Sequence, residues 1–439
     1  MKKQKNVLFI IADDWSPIAG CYGNNKIKTP RIDCLAEKGV VFDHAFCTSP
    51  SCAVSRASIL TGHHSHTHGQ YGHCHGIHGF RTSESMTSTP MDLRSAGFAT
   101  ACIGKKHVEP FSVYPFEFEP KLNPRNPNEI SSAARMFLSA NSDKPFYLHV
   151  GFSDPHRSEE GFGNIPLLPD VPRIDYTEEE VEVPGFLPDL PEIREELASY
   201  YQAISRFDYG VGQLLDLVED MGRSEDTMII ITTDHGMPFP GAKASFFDSG
   251  HHCPFIIYAP GLHKNKIHHQ ALINWTNIRP TIHDWCNISL PHELPGRSIL
   301  SILNNPEVDG WDQTFFSHCF HEIVNYNPYR VLRGRRYKFI QNLSSNTDYI
   351  LPTDLYRSPS WSAIQSTPNV SQGMRTKQHL FERSPEELYD IVRDPQETKN
   401  LIFEKQYKHV ADQMRNDLDQ FRKRTYDPWI EIDEQNAPI

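Results

Sequence analysis

The chain has 439 residues, 43 of them Lys or Arg and 55 Asp or Glu, for a formal net charge of −12. Hydrophobic and charged contents of 38% and 22% describe a soluble globular chain, long enough for a large α/β core and a smaller appended unit. The acidic balance argues against unspecific binding to nucleic acid or long polyanions, no apolar run approaches the length of a membrane helix, and nine unevenly spaced cysteines argue against a disulfide framework.

The first five residues, Met1-Lys2-Lys3-Gln4-Lys5, are basic. The apolar stretch behind them is too short for a signal peptide and has no cleavage site. The sequence as it stands therefore points to the cytoplasm; a periplasmic or secreted location follows if a leader has been trimmed. Residues 7–12 are a continuous apolar run, the pattern of a strand buried on both faces. The run delivers Asp13 and Asp14. Ligands gather at the C-terminal ends of strands in open parallel sheets, and paired carboxylates there suit a hard cation such as calcium or magnesium. A helix N-cap accounts for them equally well. Residues 29–39 read as a helix, with Pro30 near its start and Gly39 at its end. Residues 40–42 lead on to Ser51-Cys52-Ala53-Val54-Ser55-Arg56, where Ser51 and Ser55 favour a helix start and Gly62 offers a stop. A helix start beside Arg56 attracts negative charge to Cys52, although by spacing alone the simpler reading is a reactive or merely buried cysteine. From His63 to His78 the histidines are dense enough for zinc or nickel, yet their spacing matches no standard zinc pattern.

Residues 98–103 and 146–152 are further buried-strand candidates. The first delivers Gly104-Lys105-Lys106-His107, the second Ser153-Asp154-Pro155-His156-Arg157. A lysine at a strand end is commonly just solvated and a lone histidine locally satisfied, but the same placement after two successive strands argues against coincidence. Residues 163–191 are proline-rich and acidic, a long surface excursion. Leu197, Tyr201, Ile204, Phe207, Val211, Leu214 and Val218 recur at helical spacing and predict a long helix packed on the sheet. Residues 227–233 are a fourth buried strand, ending in Asp234-His235-Gly236; Lys243 follows, and 254–258 look like a fifth strand. Four strands thus end in titratable or metal-binding groups, as expected of a site at one sheet edge. From about Asp312 the texture changes. Residues 330–333 and 337–340 predict a hairpin, 343–380 read as polar and irregular, and a final helix is expected over about 404–423. The expected division is a catalytic unit over 1–311 and a smaller α+β unit over 312–439, docked on the first.

The pattern Cys-x-x-Ser-Arg-x-x-x-Leu-Thr-Gly at 52–62 resembles the signature of the type I sulfatases, in which the cysteine is oxidised after synthesis to formylglycine. Where the usual signature has Pro or Ala, this chain has Val54. The resemblance extends to Ala12-Asp13-Asp14, His66, Gly69, Gly104-Lys105 with His107, Asp154-Pro155-His156, Asp234-His235-Gly236, Lys243, Glu387-Leu388-Tyr389-Asp390 and Asp394-Pro395. It implies an alkaline-phosphatase-like α/β sandwich with a large mixed, mostly parallel sheet, plus a smaller C-terminal subdomain with an antiparallel sheet. Within the family the chain looks closest to heparan N-sulfatases (sulfamidases), through Gly104-Lys105-Lys106-His107-Val108, Val113-Tyr114-Pro115-Phe116, Asp154-Pro155-His156-Arg157, Pro238-Phe239-Pro240, His321-Glu322 and Asp427-Pro428-Trp429.

By that resemblance Asp13, Asp14, Asp234, His235 and the modified Cys52 would hold one divalent metal, calcium first, with manganese or magnesium as alternatives. Many relatives have Asn in place of His235, and an imidazole is the softer ligand. The metal would polarise a sulfate oxygen and acidify the hydrate hydroxyl, whose proton Asp234 would take. Arg56, Lys105 and Lys243 would carry the sulfuryl charge. His156 would protonate the leaving atom and His107 would deprotonate the second hydroxyl, expelling sulfate. Arg157, His321, Glu322 and Arg330 are the substrate-binding candidates, with the alternative that His321 and Glu322 only tie the two units together. The expected activity is removal of a sulfamate or sulfate ester from the non-reducing end of an acidic saccharide, N-sulfoglucosamine first. An O-sulfatase, or a phosphodiester or phosphonate monoester hydrolase, is the alternative; a non-catalytic sugar-binding relative ranks low because the expected charged positions are all present. Expected partners are the sulfated saccharide and the maturation enzyme that oxidises Cys52, with no nucleic acid and no membrane; a homodimer stays open.

Overall fold

Apolar runs with polar ends become the interior strands of a seven-stranded sheet in a computed structural model that describes residues 5–431 apart from 265, 348, 369 and 372. In chain order the elements that matter are β1 (Asn6–Ala12), α1 (Pro30–Lys38), β2 (Val40–Phe42), α2 (Cys52–Thr61), β3 (Ala99–Gly104), α3 (Pro127–Ala140), β4 (Phe146–Gly151), α4 (Pro191–Asp220), β5 (Thr227–Thr233), β6 (Phe255–Tyr258), β7 (Ile267–His269) and α5 (Ile278–Cys286). The sheet order is β3-β4-β1-β5-β6-β2-β7. The first four neighbours run parallel, β6 runs antiparallel to both β5 and β2, and β7 runs parallel to β2. Every residue of β1 is buried, because helices cover both faces. Leu8 and Ile10 pack with Ile32, Ile130, Leu197 and Ile204 from α1, α3 and α4. Val7, Phe9 and Ile11 pack with Ala57, Leu60, Ile278 and Ile282 from α2 and α5. This alternation explains why the strand reads as unbroken apolar sequence.

The registers bring the four parallel strand ends level: Ala12 pairs with Thr233, Ile11 with Gly151, and Gly104 with Gly151. The last pair needs glycine. Gly104 has φ +89°, and a Cβ there would lie 2.2 Å from the Gly151 carbonyl oxygen. The chain can thus turn out of β3 with Lys105 aimed across the sheet edge.

A second, antiparallel sheet runs β8 (Gln313–Phe320), β9 (Tyr326–Gly334), β10 (Tyr337–Asn342) and, after an excursion, β11 (Glu386–Asp390). The β9–β10 pair is the predicted hairpin. Phe316, Tyr329, Val331, Ile340 and Tyr389 join the main core. Leu332, Phe339 and Leu388 make a core of their own with the last helix, Lys408–Arg424. Residues 343–380 are not irregular throughout: α6 (Thr353–Tyr356), α7 (Pro359–Ser366) and α8 (Lys377–Phe381) form there, burying Leu355, Trp361, Ile364 and Leu380. The last helix begins at Lys408 rather than 404, because Lys405–Tyr407 form a 3₁₀ turn. Among the described residues all nine cysteines are free, and no helix is long and apolar enough to cross a membrane.

Candidate active site

The site lies where the four parallel strands end and α2 begins. β1 delivers Asp13 and Asp14, β3 delivers Lys105, β5 delivers Asp234 and His235, and α2 starts with Cys52. Asp14 sits at φ +66°, a left-handed conformation uncommon outside glycine. It is held there because its N–H donates to Asp234 Oδ1 at 3.0 Å and its carbonyl accepts from Tyr200 OH at 2.8 Å. Trp275 Nε1 donates to the Asp234 carbonyl at 2.9 Å, and so does the Ser55 hydroxyl. Cys52 Sγ then lies 3.2 Å from His235 Nε2 and 3.8 Å from Asp14 Oδ1, while His235 Nε2 is 3.1 Å from that same oxygen.

Three cations surround these acids. Arg56 donates from Nε to Asp234 Oδ2 at 3.0 Å and from Nη2 to Asp13 Oδ1 at 3.3 Å. Lys105 Nζ pairs with the other Asp13 oxygen. Lys243 Nζ reaches Asp14 Oδ2 at 2.8 Å, Asp354 Oδ2 at 2.7 Å and His156 Nε2 at 3.1 Å. Burial alone would push Asp13 up, but Lys105, His156 and Arg56 hold its carboxyl well below the usual range. Asp234 goes the other way, raised by burial and by the neighbouring Asp13 charge. Cys52 is raised well above a free thiol, because burial outweighs Lys105 and Lys243. Lys243 stays charged: burial works against it, yet Asp14 and Asp354 raise it well above its ordinary value. His156 and His107 are both lowered, first by burial and then by Lys243 and Lys105 respectively. Lys105, His107, His156 and Asp354 are only partly buried and mark the side open to solvent.

This donor set fits a divalent cation. Donor atoms of Asp13, Asp14 and Asp234 lie within 4.8 Å of one another, as do those of Cys52, Asp234 and His235. Three buried carboxylates at that spacing concentrate negative charge that a cation relieves.

The structure places the remaining sequence candidates differently. Arg157 is buried and fully engaged: its fork grips Glu196, with Nη2 at 3.0 Å, its Nε donates to the Pro238 carbonyl, and its plane lies over Phe162 and Phe239. Arg330 is fully buried in a bidentate pair with Asp427 at 2.7 and 2.9 Å and also donates to the His318 and Tyr329 carbonyls. Neither guanidinium is available to a substrate anion, so both assignments are corrected to structural roles. His321 stands beside the site, with Nδ1 3.0 Å from Ser51 Oγ and Nε2 3.1 Å from His73 Nε2. Glu322 accepts from the Thr353 hydroxyl at 2.7 Å and its N–H at 3.2 Å. Sequence reasoning missed Asp354, the second anion on Lys243. It also missed Arg125 and Arg206, which grip Asp154 at 2.6–2.7 Å and so anchor the loop carrying His156.

A buried carboxylate cage, a helix-start cysteine within it and three surrounding cations define a hydrolase of anionic tetrahedral esters, metal-assisted by its donor set. The sulfatase family model matches residues 5–288, and the model for the C-terminal region of N-sulphoglucosamine sulphohydrolase matches residues 242–378. The chain belongs to the sulfatase family and is a hydrolase acting on sulfate. It is 33% identical to N-sulphoglucosamine sulphohydrolase of Homo sapiens over 462 aligned positions, covering 98% of this chain and 92% of the human one. A protein solved in complex with its substrate D-glucosamine-2-N,6-O-disulfate superposes with a TM-score of 0.70 at 20% identity, covering 99% of both chains. The phosphonate monoester hydrolase of Agrobacterium radiobacter superposes with a TM-score of 0.73 at 18% identity, covering 96% of both. These two show the shared alkaline-phosphatase-like fold.

Proposed function

We propose that the chain removes the N-sulfate of a terminal N-sulfoglucosamine, as a formylglycine- and calcium-dependent sulfohydrolase. The observation that carries this reading is Cys52, the first residue of α2, 3.2 Å from His235 and inside the cage of Asp14 and Asp234, in a chain 33% identical to human N-sulphoglucosamine sulphohydrolase. Its Sγ marks where the oxygens of the oxidised residue would stand. Cys52 is 1% exposed, so a maturation enzyme would have to act before the chain folds. Asp13, Asp14, Asp234 and His235 would hold the cation; an oxygen-rich set supports calcium, and the one imidazole leaves manganese as the alternative. When present, the oxidised Cys52 would supply an attacking hydroxyl, and a cation held by Asp13, Asp14, Asp234 and His235 would draw charge from the sulfuryl oxygens.

The chain's own residues do the rest. Asp234, raised by burial and by Asp13, is suited to receive a proton. Lys105 and Lys243 present their ammonium groups beside Cys52 and offset the sulfuryl charge, and Arg56 holds Asp234 and Asp13 in place. At rest His156 is neutral, with Nε2 accepting from Lys243 and Nδ1 donating to the Arg157 carbonyl. The charge of an incoming sulfate acts against the influence of Lys243 and favours the protonated imidazole that serves the leaving nitrogen. His107, kept neutral by burial and Lys105, is suited to act as the base that releases sulfate.

Defined oligosaccharides carrying N-sulfate or O-sulfate at the non-reducing end or at an internal residue test the reading. Terminal N-sulfate is expected to leave first. Comparable release from internal residues overturns the exo-acting reading, and release of O-sulfate alone overturns the N-sulfatase assignment. Peptide mass spectrometry at Cys52 checks the modification independently.

A further inference from the structure

The histidine-rich stretch that the sulfatase chemistry leaves unused folds against the open side of the site. His73, His75 and His107 converge there. Their ring centroids are 5.1 Å (His73–His75), 5.0 Å (His73–His107) and 4.9 Å (His75–His107) apart, and one ring nitrogen from each lies within 4.8 Å of the other two. Three imidazoles bound to one tetrahedral zinc at about 2.0–2.1 Å per bond put their ring centres about 5 Å apart. The cluster therefore already has the dimensions of a metal site.

Two further observations point to a ligand. Nδ1 of His73 is buried without a hydrogen-bond partner among the described residues, while its Nε2 lies 3.1 Å from His321 Nε2; native proteins usually meet such a cost with an ordered water or ion. His75 Nδ1 and His107 Nε2 are 2.8 Å apart, two lone-pair atoms sharing one proton. A cation bound to both, with the two nitrogens opening to about 3.3 Å to meet zinc bonds of about 2.0–2.1 Å, replaces that proton, which moves to the other nitrogen of its own ring, so binding needs no proton to leave the protein. His75 is exposed and gives the ion an entry path.

We propose that His73, His75 and His107 form a second metal site, selective for a borderline ion such as zinc, and that its occupancy stops turnover by capturing His107. The two sites differ in chemistry. Neutral imidazoles select zinc, copper or nickel, whereas the carboxylate cage selects a hard ion such as calcium. Excess calcium therefore does not compete at the histidines. The inhibition, though not the binding, rests on the role given to His107 above.

Calorimetric titration of the full chain with zinc in excess calcium tests the site, with cobalt(II) as a visible-absorption probe of four-coordinate geometry. One zinc per chain is expected. His75→Ala is expected to weaken it by about tenfold or more, and to raise the zinc concentration that halves turnover by the same factor, each protein compared with its own zinc-free rate. Cys52→Ala, unable to form the nucleophile, keeps its zinc affinity; that arm excludes capture by the thiol and gives the same answer even if the substrate reading fails. Unchanged zinc affinity in His75→Ala, or displacement of zinc by calcium, overturns the site. Binding at the histidines without loss of turnover overturns the proposed control.

Discussion

Arg330 separates a charge that serves the fold from one that serves the substrate. Its guanidinium is fully buried on Asp427, which Arg422 also reaches at 2.8 Å. Removing one member of a buried pair leaves the other charge poorly compensated, at about 3–5 kcal/mol, and Arg422 holds the loss toward the lower figure. Arg330→Met is expected to lower the urea midpoint by an amount equivalent to about 3 kcal/mol while leaving KM for a sulfated saccharide unchanged. A raised KM with unchanged stability would restore the substrate role. The same contrast explains what was legible in the residues. Asp13, Asp14, Lys105 and Asp234 each stand directly behind an apolar strand, so position alone announced them. Arg157 and Arg330 announced a charge but not its partner, since Glu196 and Asp427 lie 39 and 97 residues away in sequence. Asp354 carried no signal, because its meaning is a contact with Lys243 from 111 residues away. The histidine cluster stayed ambiguous for a like reason: His107 reaches His75 from 32 residues away, so no local spacing reveals the triangle.

Elements with one dominant period were readable, and elements whose burial depends on polar partners were not. β1, β4, β5 and α4 follow from apolar runs or helical spacing. β8 does not, because its buried Ser317 and His318 are satisfied from elsewhere, His318 Nδ1 lying 2.7 Å from Ser49 Oγ. α4 also shows packing overruling local preference. Gly210 is buried in its middle, where alanine would ordinarily gain about 1 kcal/mol of helix propensity. A Cβ at Gly210 would come within 2.5 and 2.7 Å of the Phe152 ring. That ring is itself buried and packed edge-on against Phe207 with centroids 5.1 Å apart, so it has little room to yield. Gly210→Ala is expected to destabilise the chain by up to about 2 kcal/mol, an overpacking cost of about 1–3 kcal/mol less the propensity gain of about 1 kcal/mol. Chemical denaturation reads the sign directly, and a stabilised variant would show that α4 can shift off the sheet.

At the scale of the whole molecule, the histidines tie stability to pH. His64, His149 and His318 are buried, and burial, aided by His63, Arg56 and Arg330 respectively, lowers each from 6.5 to about 3. Above pH 6.5 both folded and unfolded chains hold these rings neutral, and stability is complete. As pH falls through 6.5 the unfolded chain takes up protons that the folded chain refuses, and the loss continues down to the folded values. At about pH 5 the cost is about 2 kcal/mol for each of the three rings. His44 and His63, lowered to about 4, act in the same sense. Asp208, raised by burial to about 7, acts in the opposite sense: it keeps its proton in the fold where the unfolded chain has lost it, and so offsets part of the loss. The histidines outnumber it, so the unfolding free energy is expected to fall by several kcal/mol between about pH 7.5 and about pH 5. His149→Phe keeps a ring against Phe9, now 5.2 Å from the imidazole, and removes one titrating group. It is expected to flatten the slope by one histidine's share. Urea midpoints for the two proteins across that range make the test, and equal stability at both ends for the parent chain would mean that the fold opens locally to let these rings protonate.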